Sequence, residues 1–273
     1  MGSNKMDRVT SKSYLKNIIS YFRTYRHLRP NTKAVLLFYL LFMLPCLALL
    51  LYFYPTITYY FSWCGSYLLK LIMPGKTIGI AGSNFMPIFG KVHYITLAGT
   101  SPSLHQTYIN LIVVIVLLVI CLNVRKLAKP IMIYGTMALL IHLVSCLFFI
   151  IVPQLFPYKL SQYSDLYMKQ QVGIWISFLI ISCLVSGCIN KSGFYKFYVV
   201  IGVMAYSVVF GALRYIINLV VLANASSLYM AVLFFIIGPL FDFLYLVCIY
   251  GLFLKKITSK FDRELGSGDW QWA

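Results

Sequence analysis

Two charged residues interrupt otherwise apolar stretches near the end of the chain. Arg214 lies within Phe197–Leu222 and Asp242 within Tyr229–Leu254. An unpaired charge at the centre of a hydrocarbon layer costs at least about 2.5–3.5 kcal/mol, so ionisable groups there are kept for pairing or for function. The two residues flank a short turn near Ala225–Ser226. Measured from that turn, their depths differ by about five residues, or roughly 7–8 Å at the rise of a helix. A long arginine reaching for a short aspartate can close that gap if the two helices are neighbours. Asn218 lies one turn from Arg214 on the same face. Gly238-Pro239, just before Asp242, can kink its helix and free a backbone carbonyl. Two chemistries fit Arg214, Asp242 and Asn218: an ion pair that locks two helices, or a polar site that binds a substrate or carries protons.

A second pair that could do chemistry is His142 with Cys146, four residues apart and therefore on one helix face. A thiol beside an imidazole can act as a thiolate nucleophile with its base. The plainer interpretation is packing, because a thiol buried in an apolar setting is inert. The seven cysteines form no CxxC and no Cys/His cluster at zinc spacing. No phosphate-binding glycine loop, GxSxG or HExxH is present. Six acidic residues in 273 leave little room for paired carboxylates. No cofactor and no metal is expected.

The elements that must position these residues follow from composition. Hydrophobic residues make up 61% and charged residues 11%, against roughly 45–50% and about 25% in soluble domains. Lipid is the expected solvent. Six stretches are long and apolar enough to cross a hydrocarbon core about 30 Å thick: Ala34–Tyr54, Tyr108–Val124, Pro130–Val152, Val172–Asn190, Phe197–Leu222 and Tyr229–Leu254. The predicted fold class is an all-α polytopic membrane protein of about six transmembrane helices, in the plasma (cytoplasmic or inner) membrane.

The net charge of +17 would point to nucleic acid in a soluble protein, but its placement argues against that partner. With the N-terminus inside, 17 Lys and Arg fall in inside segments and 5 in outside ones, with Arg214 left within a span. This asymmetry predicts an N-in/C-in topology. The same basic residues suit anionic lipid headgroups.

Outside the 34–254 transmembrane domain, residues 1–33 are basic. Within them Leu15, Ile18, Ile19 and Phe22 make the apolar stripe of an amphipathic helix lying on the membrane surface. Residues 255–273 form a basic tail ending in GSGDWQWA. The one sizeable loop, 55–107, is expected outside. Its aromatic first part, TITYYFSWCGSYLLKLIM, should lie along the interface. KTIGIAG and KVHYITLAG then alternate as the strands of a small β element. A lone hairpin is marginal in water, so it must pack on the membrane domain or on a partner. Pro153–Gln171 reads as a second, short, Tyr-rich outside segment.

The segment GALRYIINLVV, an arginine inside a late span followed by another polar-tinged span, resembles the arginine-bearing helix of the exosortase/archaeosortase family of polytopic envelope transpeptidases. The resemblance covers about one span of six. It implies a Cys, an Arg and a His in that chain order, with Arg214 as the Arg. Cys121 or Cys146 would be the Cys, though neither stands in a CSG-like context. No His follows Arg214; Asp242 stands roughly where it is expected. The layout is also similar to the small membrane proteins that accompany exosortases. The expected function is therefore an accessory, non-catalytic subunit of a cell-envelope complex for protein sorting, export or processing, with partner membrane proteins. Two alternatives stand beside it. One is an intramembrane thiol transpeptidase or protease using Arg214, Cys146 and His142. The other is a small transporter using Arg214 and Asp242.

Overall fold

The computed structural model describes residues 32–87, 90–123, 129–187 and 193–264. The expected surface helix within 1–33 and the GSGDWQWA tail lie outside these residues.

The described residues form six helices long and apolar enough to cross a membrane, together with one two-stranded sheet. The long elements are α1 (Thr32–Ile72), α2 (Leu104–Asn123), α3 (Lys129–Ile151), α4 (Leu160–Gly187) and α5 (Gly193–Asn224). The sixth is α6 (Met230–Phe235), a π turn (Ile236–Leu240) and α7 (Phe241–Glu264) in succession. Between α1 and α2 run β1 (Ile78–Met86) and β2 (Gly90–Leu97), antiparallel, with Ile78 opposite Leu97 and Asn84 opposite Lys91. Gly90 takes a positive φ of 105° where the turn enters β2, a conformation only glycine adopts without strain. Six helices of this length and apolarity are the make-up expected of a multi-pass membrane protein.

Three of the six stretches differ from the expected boundaries by ten residues or more; the sixth continues as helix to Glu264, into the segment expected as a tail. The first does not stop at Tyr54. The helix runs through Pro55 for 41 residues, about 60 Å, which is roughly twice the hydrocarbon thickness. The aromatic stretch expected along the interface is its continuation. Tyr54, Thr58, Ser62, Gly65, Ser66 and Leu69 form a buried stripe along it at helical spacing. That stripe packs under the β hairpin. Tertiary burial outweighs the one hydrogen bond that Pro55 removes. Cys64 lies inside α1 and is exposed.

The fourth stretch begins at Leu160 rather than Val172. Most of the Tyr-rich segment expected as an outside loop is helix. Its polar residues, Tyr163, Ser164, Tyr167 and Gln171, recur at helical spacing and are all buried. They lower the average hydropathy of the segment while facing inward.

The hairpin is held by both helices. Tyr54 and Ser62 of α1 donate to the carbonyls of Gly90 and His93, each at 2.9 Å. The Ile95 N–H donates to the Tyr215 hydroxyl of α5 at 2.9 Å. β2 carries most of the packing, against α1 and α4, with Val92 and Ile95 fully buried. The α5–α6 turn is tied in at the same end. Lys76 donates to the carbonyl of Ala223 and to Asn224, Gln106 donates to the carbonyl of Ala225, and the Ser227 N–H donates to Thr100.

Candidate functional site

Arg214 sits on the inner face of α5 with 4% of its surface exposed, and Asp242 at the start of α7 is fully buried. They meet as a two-pronged pair. Nη1 donates to Oδ1 and Nη2 to Oδ2, each at 2.8 Å. Planar guanidinium and carboxylate groups favour this fork-on-fork arrangement, which is among the strongest of charge-assisted contacts.

The remaining donors of Arg214 are also taken. Nε donates to the Tyr167 hydroxyl at 2.6 Å, Nη2 to Gln171 Oε1 at 3.0 Å, and Nη1 to the Gly238 carbonyl at 3.3 Å. A guanidinium has five N–H groups, and these five contacts use all of them. The cation is further flanked by the rings of Tyr167 and Phe210, each 5.7 Å from its central carbon.

The local sequence explains how each acceptor is presented. Gly238 has a non-helical ψ of −118° inside the π turn before Pro239. The Gly238 carbonyl accepts from the Phe241 N–H and, out of helical line, keeps a second lone pair for another donor. Arg214 takes the Gly238 carbonyl and Tyr134 of α3 takes that of Ile236 at 2.6 Å. On α4, Tyr163, Tyr167 and Gln171 stand at i, i+4 and i+8 and so face α5 together. Gln171 needs a close approach: a Cβ on Gly211 would fall 2.5 Å from its amide nitrogen.

Asn218, one turn along α5, does not touch the ion pair. Its amide donates to the Tyr163 hydroxyl at 3.2 Å. Its Oδ1 is buried with no hydrogen-bond partner among the described residues, as is Gln170 Oε1 on α4. The Tyr245 hydroxyl lies near Asp242 and Ser207 without meeting hydrogen-bond geometry.

The network reaches the sheet. Tyr215 stacks on Tyr167 with ring centres 5.2 Å apart. Its hydroxyl accepts from the Ile95 N–H and meets Ser164. A continuous path therefore runs from the β2 backbone through two tyrosines to the ion pair.

His142 and Cys146 lie elsewhere, on α3. Cys146 is fully buried among Phe149, Leu228, Leu111, Phe156 and Tyr229. His142 stacks on Tyr229, centres 4.9 Å apart, and its Nδ1 has no partner among the described residues. None of Arg214's hydrogen-bond partners is a cysteine or histidine. Cys121 faces Met132 and Thr136 across the α2–α3 contact. The structure thus joins Arg214 to Asp242, keeps Asn218 one turn away and leaves the thiol–imidazole candidates apart from them. Among the described residues no three His, Cys, Asp or Glu gather as a metal site.

The sequence reading missed Tyr163, Tyr167 and Gln171. Their regular spacing was a usable signal, hidden because the segment's average hydropathy is low. Family models, curated proteins and solved structures contain no match to this chain.

Proposed function

We propose that this chain is a non-catalytic accessory subunit of a cell-envelope membrane complex, serving protein sorting, export or processing. The observation that supports this most is the saturation of Arg214. All five of its N–H groups are held by protein acceptors, so the cation has no donor left for a substrate. Asp242 neutralises it in place. Buried pairs of this kind are best attested as devices that fix one arrangement of elements. Here the pair fixes α4, α5 and α7, with Tyr134 of α3 holding the same kinked turn. The chain is then a rigid scaffold rather than a reaction centre. It stands as a non-catalytic relative or companion of the envelope transpeptidases that GALRYIINLVV resembles.

The charge asymmetry gives the orientation: N-in/C-in in the plasma or inner membrane, with the hairpin and the far half of α1 outside and the basic segments against anionic headgroups inside. Single cysteines at Asn84 and Tyr158, in a background without native cysteines, should react with an impermeant thiol reagent from outside. One at Phe194 should not. Labelling of Phe194 alone would reverse the topology.

Affinity purification of the tagged chain from its native membrane, with quantification of what accompanies it, tests the accessory role. A near-stoichiometric membrane or envelope partner is expected. A monodisperse chain that purifies alone would overturn it.

A second reading, a small transporter, is favoured by one observation: the unpartnered acceptors Asn218 Oδ1 and Gln170 Oε1 beside the pair. It requires that replacing both charges with leucine leave a folded but inactive protein. The scaffold reading requires that this variant still support its complex.

A further inference from the structure

β1 is a nine-residue strand with β2 on one side and, among the described residues, no strand on the other. Its outer edge carries free backbone donors and acceptors, and folded proteins normally blunt such an edge with lysine, proline, a short length or a covering element. The sequence of β1, IGIAGSNFM, has neither charge nor proline. The helices cover mainly β2 instead.

Beside this bare edge lies a groove of about 280 Å³. Trp63, Tyr67 and Lys70 of α1 line one wall, and Ile78, Gly79 and Ile80 of β1 the other. The α1 face leading into it is exposed and aromatic. Tyr60, Trp63 and Tyr67 each present more than half of their surface, an unusual investment for large rings.

Lys70 is the charged residue that lines the groove. At this end the one acidic residue among those described is Asp165, which is already held by Lys169 at 2.8 Å and by Ser83.

We infer that the outer edge of β1 and the Trp63–Tyr67–Lys70 groove form a docking site for an extended polypeptide segment. The segment adds as a third strand and carries apolar side chains alternating with carboxylates. Backbone pairing along β1 supplies affinity, as in other strand-addition modes. The groove takes one apolar side chain, and Lys70 selects an acidic neighbour. The two-residue period of a strand puts alternate side chains on the groove side. A lipid headgroup would satisfy Lys70 but would leave the strand edge bare, so the geometry favours a peptide. This assignment names the partner's chemistry on the accessory reading.

The test uses the full chain in phosphatidylcholine nanodiscs and a fluorescein-labelled ten-residue peptide of alternating Val and Glu. Fluorescence anisotropy reads binding. Saturable binding is expected. The same peptide methylated at four consecutive central amides, which removes donors on both of its edges, should bind at least about tenfold more weakly, a loss of about 1.4 kcal/mol. Lys70→Glu should weaken the Val–Glu peptide by about fivefold and improve a Val–Lys peptide, the scale expected for an exposed charge contact. Lys70→Glu is a surface change, and an unaltered elution volume shows that it folds.

Four results overturn the assignment. They are no binding, undiminished binding of the methylated peptide, equal binding to empty nanodiscs (a lipid surface is then the ligand), and a disulfide between two copies carrying Ile80→Cys at this edge (a second copy is then the occupant). Failure here, with a stoichiometric partner still co-purifying, removes the docking site and leaves the accessory role. Peptide binding by a chain that purifies alone keeps the docking site and removes the accessory role.

Discussion

The α4–α5–α7 interior and the α2–α3 pair are built on opposite principles. Half of the most apolar window of α4 is buried in the fold and a third of that of α5, against 11% for α2 and 17% for α3. α4 is nevertheless the least apolar of the six helices. In lipid, burying a leucine against another helix gains little, because the acyl chains are as apolar as its neighbours. Polar groups have the opposite preference, since each one facing hydrocarbon without a partner costs several kcal/mol. Helices that carry Arg214, Asp242, Tyr167 and Gln171 must therefore pack together. Helices such as α2, with Ile112, Val116 and Ile120 about half exposed or more, can remain at the periphery. Polarity, rather than hydrophobicity, marks the inside of this protein.

The largest test of that contrast is the charge pair. Arg214→Leu or Asp242→Leu alone strands the other charge and should destabilise by about 3–5 kcal/mol. The readout is a sharp loss of monodisperse protein in fluorescence-detected gel filtration. The double leucine variant should recover most of the yield, because a satisfied pair is replaced by apolar packing. Two harmless single changes would refute the account of the interior.

Gly211→Ala comes next. Its new methyl group would press on Gln171, 2.5 Å from the amide nitrogen, and loosen a ligand of Arg214. Overpacking of this kind costs about 1–3 kcal/mol, and a lowered thermal midpoint in detergent should report it.

Two Tyr→Phe changes sharpen the comparison between the regions. Tyr167 accepts from a charged donor, and bonds to charged groups are worth about 1.5–3 kcal/mol; Tyr134 makes a neutral bond, worth about 0.5–1.5 kcal/mol. Tyr167→Phe should therefore lower the midpoint more than Tyr134→Phe. Equal shifts would mean that the hydroxyl–guanidinium contact adds nothing special.

The smallest effects belong to the α2–α3 side. Cys146→Ala should change stability by about 1 kcal/mol, and Ile120→Ala at the lipid face by less than about 0.5 kcal/mol. Replacing every cysteine should leave assembly with the partner intact. One Cys→Ala change that abolishes function in a normally folded protein would restore the thiol-enzyme alternative.

Much of this architecture is legible in the sequence. Six apolar stretches of sufficient length mark the long helices, because backbone groups in lipid must be satisfied within each segment. Alternation in KTIGIAG and KVHYITLAG marks the hairpin, and Gly238-Pro239 marks the kink. Arg214 and Asp242 announce each other, since neither charge is tolerable alone at depth.

What escaped depends on faces rather than averages. The run of α1 through Pro55 follows from a buried stripe that means nothing until the hairpin lies on it. The early start of α4 follows from polar residues whose spacing becomes a face only when α5 is opposite. The acceptors of Arg214 come from 24 to 47 residues away along the chain, on two helices that no local pattern connects to it. The sequence by itself determined the long helices, the sheet and the need for a charge partner. Only the tertiary structure decided that Tyr167, Gln171 and the Gly238 carbonyl would complete the guanidinium's five bonds, and that His142 and Cys146 would stay out of reach. Hydropathy is a property of a segment, whereas hydrogen-bond saturation belongs to several segments brought within hydrogen-bonding distance of one another.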